Sequence, residues 1–94
     1  MNKVVDVDVK NTVNSAYPVL KRQANDIIRA ISGHVLFGNK VTLNFGGILD
    51  TNTEFLKLLQ TMLIDKIGEN YTDHIRYTNL SYLVAVNLGR VNRQ

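Results

Sequence analysis

The sequence predicts a small α/β domain, with a sheet of about four strands and two or three helices mainly on one face. Three observations predict it. Val5, Val7 and Val9 alternate with Asp6 and Asp8, and a period of two belongs to a half-buried strand. Leu20, Ala24, Ile27, Ile28 and Ile31 recur at helical spacing, and Phe55, Leu56, Leu59, Met62, Leu63 and Ile67 do so again. Between these helices Val41, Leu43 and Phe45 share a strand face. Strands separated by helices of this length favour a sheet with crossover helices.

Taken in order, the first strand spans Val5 to Val9. Its two carboxylates fall on one face and read as a solvated strand surface. Lys10 to Tyr17 is polar and breaks the pattern. Ser15 or Asn14 is placed to cap the first long helix, with Pro18 in its first turn and Gly33 as its left-handed terminator. His34-Val35-Leu36-Phe37 reads as a short strand, joined through Gly38-Asn39-Lys40 to the strand Val41–Phe45, which Gly46-Gly47 stops. Thr53 opens the second long helix and Gly68 closes it. Ile75-Arg76-Tyr77 is a short strand. Ser81 can cap a last helix from Tyr82 to about Arg90, with a terminal strand as the competing reading, because Val84, Val86 and Gly89 are weak helix formers.

Composition bounds the function. The chain has 94 residues, no cysteine and a formal charge of +3, which points to one domain over residues 1–94. No cysteine means no disulfide framework, no cysteine-ligated metal and no thiol nucleophile. No apolar run is long enough to span a membrane. Residues 1–10 lack a signal-peptide core, so the expected location is the cytoplasm. A chain this short buries roughly 60–65% of its unfolded surface, and a homodimer is a natural supplement to so modest a core.

Enzyme signatures are missing. There is no phosphate-binding loop, no dinucleotide fingerprint, no H-E-x-x-H and no G-x-S-x-G. The expectation is a non-enzyme with no cofactor and no metal. The two histidines, His34 and His74, read as boundary and solvated residues. Lys21, Arg22 and Arg29 on the first helix are interrupted by Asp26, and Arg90 and Arg93 lie in the tail. Dispersed charge of this kind is a poor footprint for nucleic acid.

One stretch carries more information, Asn44-Phe45-Gly46-Gly47-Ile48-Leu49-Asp50-Thr51-Asn52-Thr53-Glu54-Phe55-Leu56. A buried strand ends at two glycines, a short loop follows, and a helix begins at Thr53. Free backbone N–H groups at such a helix start attract a carboxylate or a phosphate. The plainer reading is that Thr53 caps and Asn52 makes the turn.

Here the chain resembles the STAS domains of the anti-sigma factor antagonist superfamily, and is most similar to the small bacterial STAS-like domains of unassigned function. Asn44-Phe45-Gly46-Gly47-Ile48 takes the strand-end place of that family, and Asn52-Thr53-Glu54-Phe55-Leu56 the loop-to-helix place. Ile75-Arg76-Tyr77-Thr78-Asn79-Leu80 is similar to the following strand and its exit. The resemblance implies a non-enzymatic regulatory module. It would bind a protein partner, such as a histidine-kinase-type ATPase, through the loop and helix around Asp50–Leu56. The implied contact residues are Asp50, Thr51, Asn52, Thr53, Glu54 and Lys57. The family's phosphoacceptor falls on Thr53, with Thr51 as a second candidate hydroxyl. Two departures stand out: the Asp-Ser-Ser-Gly form is absent, and Glu54 sets negative charge beside Thr53. The alternative reading is a small phage or mobile-element inhibitor or accessory protein that binds a host protein. Nucleic-acid binding ranks third.

Overall fold

The computed structural model of the chain describes residues 3–92. Its first strand, β1 (Val4–Asp8), ends one residue earlier than the valine alternation suggests. Asp8 is the cause. Its carboxylate accepts from the Asn11 N–H at 3.1 Å and so caps a one-turn helix, α1 (Val9–Val13). The Thr12 hydroxyl donates to the Asp8 carbonyl at 2.8 Å. Val9 is therefore a buried helix residue rather than the last residue of the strand, and the Lys10–Tyr17 stretch begins as helix. Asn14 stops α1 in the left-handed conformation, with φ 56°.

The first long helix, α2 (Lys21–Leu36), starts later and ends later than its sequence punctuation suggests. Neither Asn14 nor Ser15 caps it, and Pro18 precedes it. Gln23 instead reaches back, its side-chain oxygen accepting from the N–H groups of Val19 and Leu20 at 3.0 and 2.9 Å. Gly33 lies inside the helix. The terminator is Gly38, with φ 81°. The Gly38 N–H donates to Val35 O at 2.9 Å and the Asn39 N–H to His34 O at 3.0 Å, the paired bonds of a Schellman ending. The short strand expected at His34–Phe37 is thus the last helical turn, with Leu36 84% and Phe37 82% exposed. An apolar run of three fits either period, and the left-handed φ at Gly38, which glycine adopts most readily, decided it.

Among the described residues the sheet has three strands, where about four were expected. β2 (Lys40–Asn44) is central, flanked by β1 and by β3 (Ile75–Thr78), and both pairings are parallel. Register sets the two faces. Val5, Val41 and Ile75 align across the sheet, as do Val7, Leu43 and Tyr77. These rows carry the apolar core together with Ala24, Ile27 and Ile31 of α2 and Phe55, Leu59 and Leu63 of α3 (Thr53–Ile67). The other face is polar, in the rows Asp6, Thr42, Arg76 and Asp8, Asn44, Thr78. α2 packs on α3, α1 on α2, and α4 (Tyr82–Asn92) on α3. Helices gathered on one side are what sequential right-handed crossovers produce. Ser81 opens α4 by accepting from the Val84 N–H at 3.2 Å, so the terminal element is a helix. A single 3₁₀ turn, Tyr71–Asp73, precedes β3. Arg93, the tail partner of Arg90 in the sequence, lies outside the described residues. No helix among the described residues is long and apolar enough to cross a membrane.

Candidate functional site

The loop between β2 and α3 is built from its first turn. The Ile48 N–H donates to Phe45 O at 2.9 Å across Gly46-Gly47, and Gly47 has φ 87°. A positive φ at the third residue of a β-turn favours glycine. A Cβ on Gly47 would also sit 2.7 Å from Cδ of Lys10, an exposed flexible side chain that can swing aside, so the φ rather than the space sets the preference. Asn44 braces the turn. Its side-chain oxygen accepts from the Gly46 N–H at 2.8 Å and from Nδ2 of Asn79 at 2.9 Å, so the ends of β2 and β3 are tied at the same point.

Ile48 is buried, and beyond it the loop is stitched to two distant segments. The Leu49 N–H donates to Ala16 O at 2.9 Å, and Leu49 O accepts from the Ser81 hydroxyl at 3.0 Å. Asn87 of α4 donates through Nδ2 to Thr51 O at 2.7 Å and to Oδ1 of Asp50 at 3.4 Å. The same Asp50 oxygen accepts from the Thr51 N–H at 2.8 Å. The Thr51 hydroxyl donates to the Pro18 carbonyl. The connection between α1 and α2, the β2–α3 loop and the start of α4 therefore form one surface at the carboxyl ends of the strands.

Asn52, not Thr53, caps α3. Its side-chain oxygen accepts from the Phe55 N–H at 2.8 Å. Thr53 is the first helical residue, half-buried, and its hydroxyl donates to the carboxylate of its neighbour Glu54 at 3.3 Å. Asn52, Glu54 and Lys57 are exposed. Thr51 is 4% exposed, so it is no surface hydroxyl. Its bond to Pro18 makes it a structural strut. Phe55 and Leu56 are core residues. Of the six implied contact residues, the fold presents Asn52, Glu54 and Lys57 outward, leaves Asp50 and Thr53 half-buried and buries Thr51.

Several residues at this surface carry no sequence signal of function. Tyr17, Val19 and Leu20 precede α2, Leu49 is in the loop, and Tyr82 and Leu83 begin α4. All six are large, apolar and exposed, Tyr82 by 81% and Leu49 by 53%. Leu20, expected on the apolar face of the helix, is instead the residue before its first turn and is exposed, while Tyr17 and Val19 have no helical partners at the spacing of α2.

Elsewhere the chemistry is sparse. No group of three His, Asp or Glu side chains able to hold a metal ion stands together among the described residues. Arg29 pairs with Asp26 at 3.6 Å on the surface of α2. His34 lies in the last turn of α2 and His74 follows the 3₁₀ turn; both are half-buried, and His74 lines a shallow cleft beside the end of α2. Burial holds the Tyr77 phenol well above its ordinary pKa, with the nearby Tyr71 phenol adding to the shift. The Tyr77 ring stands edge-on to Phe45, centroids 5.4 Å apart. The chemistry of the candidate surface is thus that of apolar side chains, backbone groups and a capped helix start. Comparison with known proteins returns no family model, no curated protein and no solved structure that matches the chain.

Proposed function

We propose that the chain is a non-enzymatic regulatory module of STAS-like type that binds a protein partner through the surface around the start of α3. The observation that carries this reading is a rigid loop surrounded by exposed apolar side chains. The loop from Leu49 to Thr51 is hydrogen-bonded to Ala16, Pro18, Ser81 and Asn87. The joined segments expose Tyr17, Val19, Leu20, Leu49, Tyr82 and Leu83. Exposed apolar residues gathered in one region mark interaction surfaces, and a preorganised loop lowers the entropy lost on binding. Asn52, Glu54 and Lys57 supply the polar rim that such surfaces carry.

Thr53 keeps its place as the phosphoacceptor in this reading. A phosphate at the first helical residue meets the positive end of α3, opposed by Glu54. It would add charge at the start of α3 and release an apolar partner. The partner class implied by the resemblance is a histidine-kinase-type ATPase.

The test is affinity capture from lysate of the source cells with immobilised wild type, Leu49→Asp/Tyr82→Asp and Thr53→Glu proteins. A partner retained by the wild type and lost from both variants, at unchanged melting temperature, is the expected result. Equal capture by the wild type and the double variant would remove this surface from the proposal.

A further inference from the structure

The sheet has two outer edges, and the fold treats them differently. Along β3, the Val41 N–H donates to His74 O at 2.7 Å and the Phe45 N–H to Thr78 O at 2.9 Å. Backbone direction alternates along a strand, so His74, Arg76 and Thr78 address β2 while Ile75 and Tyr77 turn their N–H and C=O groups outward. No described residue bonds to those outward groups, and α4 packs against α3 rather than along β3. On the helix side of this edge lies a cleft of about 570 Å³, with an apolar wall of Ile64, Ile75, Tyr77, Leu88 and Val91 and a polar remainder that includes Glu69. On the open side of the sheet, Arg76 stands exposed in the same strand without an ion-pair partner among the described residues.

The other edge is guarded. The Lys40 N–H donates to Lys3 O at 2.8 Å, so the outward backbone of β1 belongs to Val4, Asp6 and Asp8. The Asp6 and Asp8 side chains flank that edge on the open face of the sheet, and the Asp8 carbonyl is taken by Thr12. Charged, terminated edges resist strand addition.

We propose that the outer edge of β3 accepts an extended peptide of apolar–acidic–apolar sequence as the fourth strand of the sheet. The backbone of the peptide pairs with Ile75 and Tyr77. Side chains alternate across a sheet, so the two apolar residues enter the cleft and the carboxylate between them lies beside Arg76. Main-chain bonds supply affinity and the alternate side chains supply selectivity. The occupant is a segment of a partner protein of this chemistry, and this edge is separate from the surface around the start of α3.

The chain supplies its own probe. Val5-Asp6-Val7 has the required pattern, and within the fold it is held on the far side of β2. A fluorescent peptide with the sequence of residues 3–10 is titrated against the whole protein by anisotropy, while amide hydrogen exchange is followed by NMR. The expected result is saturable binding with slowed exchange at the Ile75 and Tyr77 amides. Arg76→Glu, a change at an exposed position, weakens binding about tenfold, because it replaces an attractive cross-strand pair with a repulsive one. A peptide with lysine for both aspartates reverses that preference. Leu49→Asp leaves the binding unchanged, which separates failure of this site from failure of the α3 surface. The proposal is overturned by the absence of saturable binding or by protection confined to other residues. An unchanged affinity in Arg76→Glu overturns it as well. So does concentration-dependent protection of Ile75 and Tyr77 in the protein alone, since a second copy would then hold the edge.

Discussion

Thr51 and Thr53 are two residues apart, yet one is buried and the other half-buried, because Asn52 between them starts the helix. Asn52 accepts the Phe55 N–H, and its replacement by alanine should cost about 1 kcal/mol of stability, the usual worth of an N-cap. Thr51→Val leaves the Pro18 carbonyl unpaired in a buried place and should cost about 1–3 kcal/mol, whereas Thr53→Val should cost less than either. Urea titration of the three variants checks the order, and an equal loss in Thr51→Val and Thr53→Val would contradict the buried strut. Tyr77 adds a pH effect. Its folded-state phenol holds its proton more tightly than an unfolded one. Its contribution is therefore complete below the ordinary value of about 10 and is lost as pH rises above it. Urea midpoints measured on the alkaline side should fall with pH in the wild type and fall less in Tyr77→Phe.

At the scale of elements, glycine placement separates what reads directly from sequence from what does not. Gly33 and Gly38 both follow apolar helical positions, and either can end α2 on local grounds. Only Gly38 has the left-handed φ and the paired bonds of a helix stop. Gly33 is helical and exposed, and a Cβ added there would meet nothing within 4 Å. Gly33→Ala should therefore stabilise the protein by about 0.5–1 kcal/mol, while Gly38→Ala should destabilise it by roughly 1–2 kcal/mol. Thermal denaturation of the two variants gives opposite signs if the helix runs to Leu36, and reversed signs if it stops at Gly33. β2 and α3 were legible because their periodicity is long and unbroken and Gly68 follows α3 directly. α1 was not, because Asp8 serves equally well as a strand-face carboxylate or as a cap, and local pattern does not choose between them.

At the scale of the molecule, β2 is the one strand paired on both sides, and Val41 and Leu43 lie at the centre of the core. Leu43→Ala should cost about 2–5 kcal/mol, measured by denaturant unfolding, far more than a change at any exposed position. Native-state hydrogen exchange should show β2 amides as the slowest among the strands and the outward amides of Ile75 and Tyr77 as fast. The candidate site belongs to this scale as well. Asn52, Thr53, Glu54 and Lys57 are contiguous enough to be found from a strand–loop–helix pattern. Tyr17, Leu49 and Tyr82 share a surface only because Ala16, Pro18, Ser81 and Asn87 bond to one loop.

The sequence alone determined an α/β class, a buried central strand, two amphipathic helices and a capped entry to α3. Each of these is written in local periodicity or in a single capping residue. Tertiary structure alone decided that the described residues form three parallel strands, that Thr51 is buried, that segments bearing six exposed apolar residues meet at one loop and that β3 has an open edge. These depend on which backbone groups find partners far along the chain, and a pattern of neighbouring residues carries no record of such pairings.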